Sequence, residues 1–100
     1  MPKPFRYDLL PVFDEVNAAN DETPNCHALK IYPEYFEAVK SGVKTFEIRK
    51  NDRAFRVGDY LLLKEYNKIE QYTGRMLVVR VTYITDFHQK EGYVVMGIKQ

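Results

Sequence analysis

The sequence predicts an α+β fold, a small and mostly antiparallel β-barrel of about five strands with one main helix between the first two. Three observations point there. Runs rich in β-branched and aromatic residues recur between turn signals from residue 27 to residue 99. A single stretch, after Pro33, combines helix-start with helix-stop signals. The 100 residues, 45% hydrophobic and 29% charged, suffice for one modest core and hardly for two.

Taken in order, residues 27–32 alternate, with Leu29 and Ile31 inward, and make the first strand. Pro33 stops that strand by removing a ladder donor, and it suits the first turn of a helix. Glu34 and Glu37 put negative charge near the helix's positive end. Tyr35, Phe36 and Val39 form its apolar stripe, read as core, and Gly42 terminates it. Residues 43–49 form the second strand, in which alternation sends Phe46 and Ile48 to the core and Thr45, Glu47 and Arg49 to the opposite face. The loop 50–59 ends on the turn signal Val57-Gly58-Asp59. Residues 60–66 are apolar enough for a strand near the sheet centre, and 67–74 make a polar connection. The longest β-rich run is 75–84, with Leu77, Val79, Val81 and Tyr83 on one face and Met76, Val78, Arg80, Thr82 and Ile84 on the other. Two partly apolar faces suit a strand that bends around a small barrel. Residues 93–99 close the structure, and barrel closure removes exposed edges.

Residues 1–26 differ in character and are read as an acidic arm, partly ordered or docking, ahead of the domain at 27–100. The arm carries Lys3 and Arg6 against Asp8, Asp14, Glu15, Asp21 and Glu22, a charge of −3, whereas the remainder is +4. Phe5, Leu9, Leu10, Val12 and Phe13 are costly to leave in water, which favours partial docking on the body or on a second subunit.

Several function classes are disfavoured. Cys26 is the one cysteine, so no intrachain disulfide forms. Cys26, His27 and the distant His88 fall short of a metal-ligand set, and no metal or cofactor is expected. The chain contains no 18-residue apolar run and no signal-peptide pattern, so the expectation is a cytoplasmic protein without a membrane partner. No serine-histidine-aspartate order or phosphate-cradling glycine loop is present.

The chemistry concentrates in residues 42–56. Lys44, Arg49, Lys50, Arg53 and Arg56 stand against Glu47 and Asp52, a local charge of +3 in a chain whose net charge is +1. Such a segment suits an anionic or polar ligand. Arg49 and Arg53 offer planar forks to phosphate and Lys44 a point charge, while Glu47 orients a basic side chain or accepts from a base amino group. Asn51 either reads a base edge or holds the loop. Lys30 joins from the first strand or is simply solvated; Tyr66 stacks on a base or packs. Against all this stands a surface ion-pair cluster, worth about 0–1 kcal/mol for an exposed pair. Lys44 is the awkward member: strict alternation groups it with Phe46 and Ile48, so a shared site requires it to bend round the start of the strand near Gly42.

These residues also resemble a known family. Gly42-x-Lys44-x-x-Glu47-x-Arg49 matches the signature of ASCH domains, which are related to PUA domains. The fuller run through His27-Ala28-Leu29-Lys30, Pro33-Glu34-Tyr35-Phe36, residues 44–53, Val57-Gly58-Asp59, Tyr72-Thr73-Gly74-Arg75 and residues 92–96 resembles a bacterial and phage group of ASCH-like domains of unassigned function. The resemblance covers about residues 27–99. It implies a PUA-like barrel with a cleft between helix and barrel, and a role in binding RNA or a nucleotide. Similar domains include an amidohydrolase using a lysine, a threonine three positions later and a glutamate. Here that position holds Glu47, and the nearby threonine is Thr45.

Three readings follow. The first is an RNA-binding or nucleotide-binding module using Lys44, Glu47, Arg49, Asn51, Arg53, Lys30 and Tyr66. The second is a hydrolase of a modified nucleoside or RNA, carried by Lys44 and Glu47. The third is a protein-interaction module of phage origin in which the acidic arm covers the basic cleft or bridges subunits. Monomer and homodimer both stay open.

Overall fold

The computed structural model describes residues 23–100, so the arm expected over 1–26 lies largely outside the described residues. Strand β1 (Cys26–Ile31) is followed by helix α1 (Pro33–Lys40) and then by β2 (Phe46–Lys50), β3 (Tyr60–Asn67), β4 (Gln71–Thr85) and β5 (Tyr93–Lys99). They form one curled sheet, a half-barrel, in the order β1-β3-β4-β5-β2. β1 runs parallel to β3 through the helical crossover, and the other three pairings are antiparallel. The five strands and the helix between the first two stand as expected.

The helix forms where its local signals say. Pro33 occupies the first turn, Glu34 supplies negative charge there, and Lys40 lies in the last turn. Gly42, at φ +85°, donates its N–H to the Val39 carbonyl in the left-handed conformation that glycine adopts without strain. The Gln100 amide donates to the Val39 and Lys40 carbonyls, so the final residue satisfies the helix end. Phe36 and Val39 are buried against the sheet with Leu29, Ile31, Leu61, Leu63, Val79, Val81, Met96 and Ile98. Tyr35, expected in the same stripe, is 48% exposed.

Two strands depart from the expected facing. In β4 a register shift between Val81 and Tyr83 inserts an extra residue, which turns Tyr83 outward and lets Ile84 pack on the core. In β2 the phase is inverted. Phe46 and Ile48 are exposed, whereas Glu47 lies opposite Met96 and Arg49 opposite Val94, on the core face of β5. The strand begins at Phe46, so Lys44 and Thr45 precede it and alternation does not bind them.

Curling brings β1 and β2, the two edges of the sheet, alongside each other, and side chains rather than a backbone ladder join them. Arg49 Nη2 donates to the Lys30 carbonyl at 2.7 Å, and Arg53 Nη1 donates to the Ala28 carbonyl. Ala28 and Lys30 are two apart, so both carbonyls point to the same edge. The arginines thus satisfy acceptors that a closed barrel would have paired. The loop feeding this seam is well anchored. Asp59, 1% exposed, accepts from His27 Nε2 and from the N–H groups of Asn25 and Arg56. Phe55 is buried edge-on against the His27 ring, with centroids 4.8 Å apart.

Candidate functional site

The seam between β1 and β2 is a cleft of about 480 Å³, with α1 at one end. At its base lies Glu47, 4% exposed. Its position follows from register: an edge strand pairing only with β5 must present Glu47 on the face shared with Met96. A carboxylate there is tolerable only with strong partners. Arg49 Nε donates to Oε2 at 2.9 Å, and Lys44 Nζ donates to Oε1. Lys44 also donates to the Phe46 carbonyl at 2.6 Å. Lys44 makes the bend that a shared site requires, coming off the turn after Gly42 and reaching over the start of β2.

Both cations remain partly open, with side chains 17% and 25% exposed. Arg49 carries five N–H donors in a fixed fork, and the two bonds above use part of that capacity. Aromatic rings frame the cleft: Tyr32, Tyr35 and Phe46 line it with 43–48% of their surface exposed. The Lys44 ammonium lies 4.9 Å from the Phe46 ring centre. The arrangement is a buried acceptor flanked by two donors, between flat apolar faces.

The other residues expected in the site divide. Lys30 lines this cleft and two adjoining hollows, and Arg49 does the same. Arg53 lines one hollow beside Arg49, and Tyr66 lines the other. Asn51 joins neither: its Oδ1 accepts from the Phe55 N–H at 3.0 Å and its N–H donates to the Gly92 carbonyl, so it holds the loop. Thr45 lines a separate hollow near the C-terminus together with Lys44. Tyr32, Tyr35 and Phe46 were missed as cleft residues. Tyr32 and Tyr35 flank the helix start three residues apart, the one sequence signal that could have found them.

Glu65, Thr73, Arg75 and Glu37 form a separate polar cluster. Glu65 accepts from Thr73 Oγ1 at 2.6 Å and lies 3.5 Å from Arg75 Nε, away from the cleft. Arg75 also pairs with Glu37, whose carboxyl is held below its ordinary range, chiefly by that hydrogen bond. Burial pushes the Cys26 thiol up, which disfavours the nucleophilic thiolate. Among the described residues no group of three or more potential ligating side chains gathers around a metal-sized site, and no helix is long and apolar enough to cross a membrane.

Comparison with known proteins places this geometry in a family. The model of a domain of unknown function, DUF3850, matches residues 26–98. The chain belongs to the DUF3850 family. The match runs from the first residue of β1 to within one residue of the end of β5, so it covers both walls of the cleft. The chain is also similar to an uncharacterized 12.9 kDa protein in the GpA 3′ region of Escherichia phage P2, 38% identical over 71 residues. Those residues are 70% of this chain and 64% of the phage protein, so the shared stretch spans less than two thirds of that relative.

Proposed function

We propose that this DUF3850 domain is an ASCH-like, PUA-related module that binds RNA or a nucleotide in the cleft between β1 and β2. The observation that carries the reading is Glu47, 4% exposed at the base of that cleft yet flanked by Lys44 and Arg49 and framed by exposed rings. A nucleobase answers each part. Its exocyclic amino group donates to a carboxylate, its ring stacks on an aromatic face, and the attached phosphate takes an arginine or ammonium.

The bland alternative, an ion-pair cluster that only braces the edge, leaves the aromatic walls and the concavity without a role. Arg49 fits both, since it spans the seam and lines the cleft. The test is a calorimetric titration with the four nucleoside monophosphates and short RNA at two salt concentrations. Binding weakens as salt rises where phosphates are neutralised. Glu47→Gln, which keeps the shape and removes the charge, weakens binding of the preferred base about tenfold. Unchanged affinity in a folded Glu47→Gln protein, or no binding by the parent, would sink the reading. Chromatography of the same mixtures reads any turnover, the signature of the hydrolase alternative built on Lys44 and Glu47.

A further inference from the structure

The cleft does not end at Arg49. Two more hollows, of about 480 and 280 Å³, continue from it and share Lys30 and Arg49 with it. Tyr66 and Lys68 line one, while Arg53, Lys64 and Tyr72 line the other. They lie over the outer face of β1, β3 and β4, because Lys30 alternates with the buried Leu29 and Ile31. Lys30 and Lys64 are register neighbours on adjacent strands, and Tyr66 is the register neighbour of Tyr72.

Each lysine of this shelf rests on a tyrosine. Lys30 lies 4.4 Å from the Tyr66 ring centre, Lys64 4.6 Å from Tyr72, and Lys68 5.7 Å from Tyr32. The Tyr66 and Tyr72 rings meet edge to face at 5.3 Å. Like charges side by side on a sheet repel. Among the described residues, no carboxylate forms an ion pair with Lys30, Lys64 or Lys68. Positive charge with no carboxylate partner among the described residues, interleaved with flat rings along a groove, matches a strand that offers both phosphates and bases. A base stacked on a tyrosine is worth more than an exposed ammonium resting there, so the ammonium moves off the ring and onto phosphate. Ring faces of this kind take unpaired bases; duplex bases are already stacked.

We infer that the ligand is a single-stranded nucleic acid of several nucleotides, with one base in the Glu47 cleft and its neighbours on the Lys30–Lys64–Tyr66–Tyr72 shelf. The inference rests on the cleft reading above and narrows its two ligands, RNA or a nucleotide, to a single strand that continues from the cleft across the outer face of β1, β3 and β4. Fluorescence anisotropy with labelled RNA and DNA of two to eight nucleotides, competed by nucleoside monophosphates, tests it. Affinity is expected to rise at least tenfold, about 1.4 kcal/mol, between one and four nucleotides. The RNA and DNA arms show whether 2′-hydroxyls contribute.

Lys64→Ala with Tyr72→Ala, outside the Glu47 cleft, is expected to abolish the gain with length and lower the salt slope while leaving mononucleotide binding intact. Circular dichroism melting establishes that this variant is folded; Lys64→Gln alone, a milder change, is expected to lose part of the gain. Oligonucleotides that bind no better than a mononucleotide, or a length gain that survives the double substitution, overturn the shelf and leave the cleft reading standing. Failure of every nucleotide and oligonucleotide to bind overturns both.

Discussion

Glu47 and Glu65 are nearly matched, and their differences are instructive. Both are carboxylates on the concave face of the sheet, 4% and 5% exposed, and both hold a cationic partner. Glu65 sits within the sheet's body, on β3 between β1 and β4, bonded to Thr73 and near Arg75, whose guanidinium lies 4.5 Å from the Phe36 ring centre. Glu47 sits on an edge strand, and its cations open onto a cleft. Burial and ion pairing alone therefore do not mark a site. What separates the two acids is shape: Glu47 and its cations line a concave, ring-walled cleft, whereas Glu65 and Arg75 line neither it nor the hollows beside it and near the C-terminus.

That contrast is sharpest in binding. Glu47→Ala should lower nucleotide affinity by about 2 kcal/mol, roughly thirtyfold. It should also cost about 2 kcal/mol of stability, because Lys44 and Arg49, with side chains 17% and 25% exposed, lose a buried carboxylate. Glu65→Ala takes an acceptor from Thr73 and Arg75, but Arg75 is 44% exposed and keeps Glu37, so a loss of about 1 kcal/mol is expected, roughly 4–8 °C in Tm. Nucleotide affinity should be unmoved there. Equal affinity losses for the two variants would erase the distinction.

Arg53→Ala probes the seam that makes the cleft. Removing the donor to the Ala28 carbonyl should cost about 1 kcal/mol and speed amide hydrogen exchange in β1 before β3 or β5 responds. Uniform acceleration across the sheet would mean that the arginine braces the whole domain. The smallest effect is expected from Glu37. Its carboxyl is held low by Arg75, so its contribution is present above the ordinary carboxylate pKa and fades as pH falls through the lowered value. Glu37→Gln should therefore narrow a slight stability deficit on acidification, seen as converging Tm curves below about pH 4. The pair is exposed, and solvent screening keeps this effect small.

How far the sequence revealed this design depends on how local each signal was. The helix was legible because Pro33, the acidic first turn and Gly42 all act within a turn of their positions. Strand β5 was legible at both ends, Tyr93 and Lys99. The facing of β2 was not, because alternation gives a period and leaves the phase to whatever lies across the ladder. Two apolar residues argued for Phe46 and Ile48 inward, but pairing with β5 placed Glu47 beside Met96. An inward charge on an edge strand also discourages pairing with other chains. The bulge in β4 left an equally indirect trace: a Cβ on Gly97 would lie 3.0 Å from Thr82 Oγ1, so the partner strand carries glycine at that level. In the site, the motif Lys44, Glu47 and Arg49 was readable as a unit. Tyr32 and Tyr35 left only their spacing at the helix start, and Lys64 and Tyr72, in an adjoining hollow, left no trace, because the strand order that gathers them is nowhere local.

The same strand order has a kinetic corollary. Strand β2 is made early in the chain but finds its ladder partner only in β5, with Phe46 opposite Gly97 and Lys50 opposite Tyr93. Until the last strand arrives, Glu47 has no sheet to lie in and Arg49 no seam to span. Pairings between segments so distant in sequence carry a large loop-closure cost and form slowly. The helix and the β3–β4 hairpin can assemble first, and the cleft comes into being only with the final strand. Closure of the sheet and completion of the cleft thus converge on one late event.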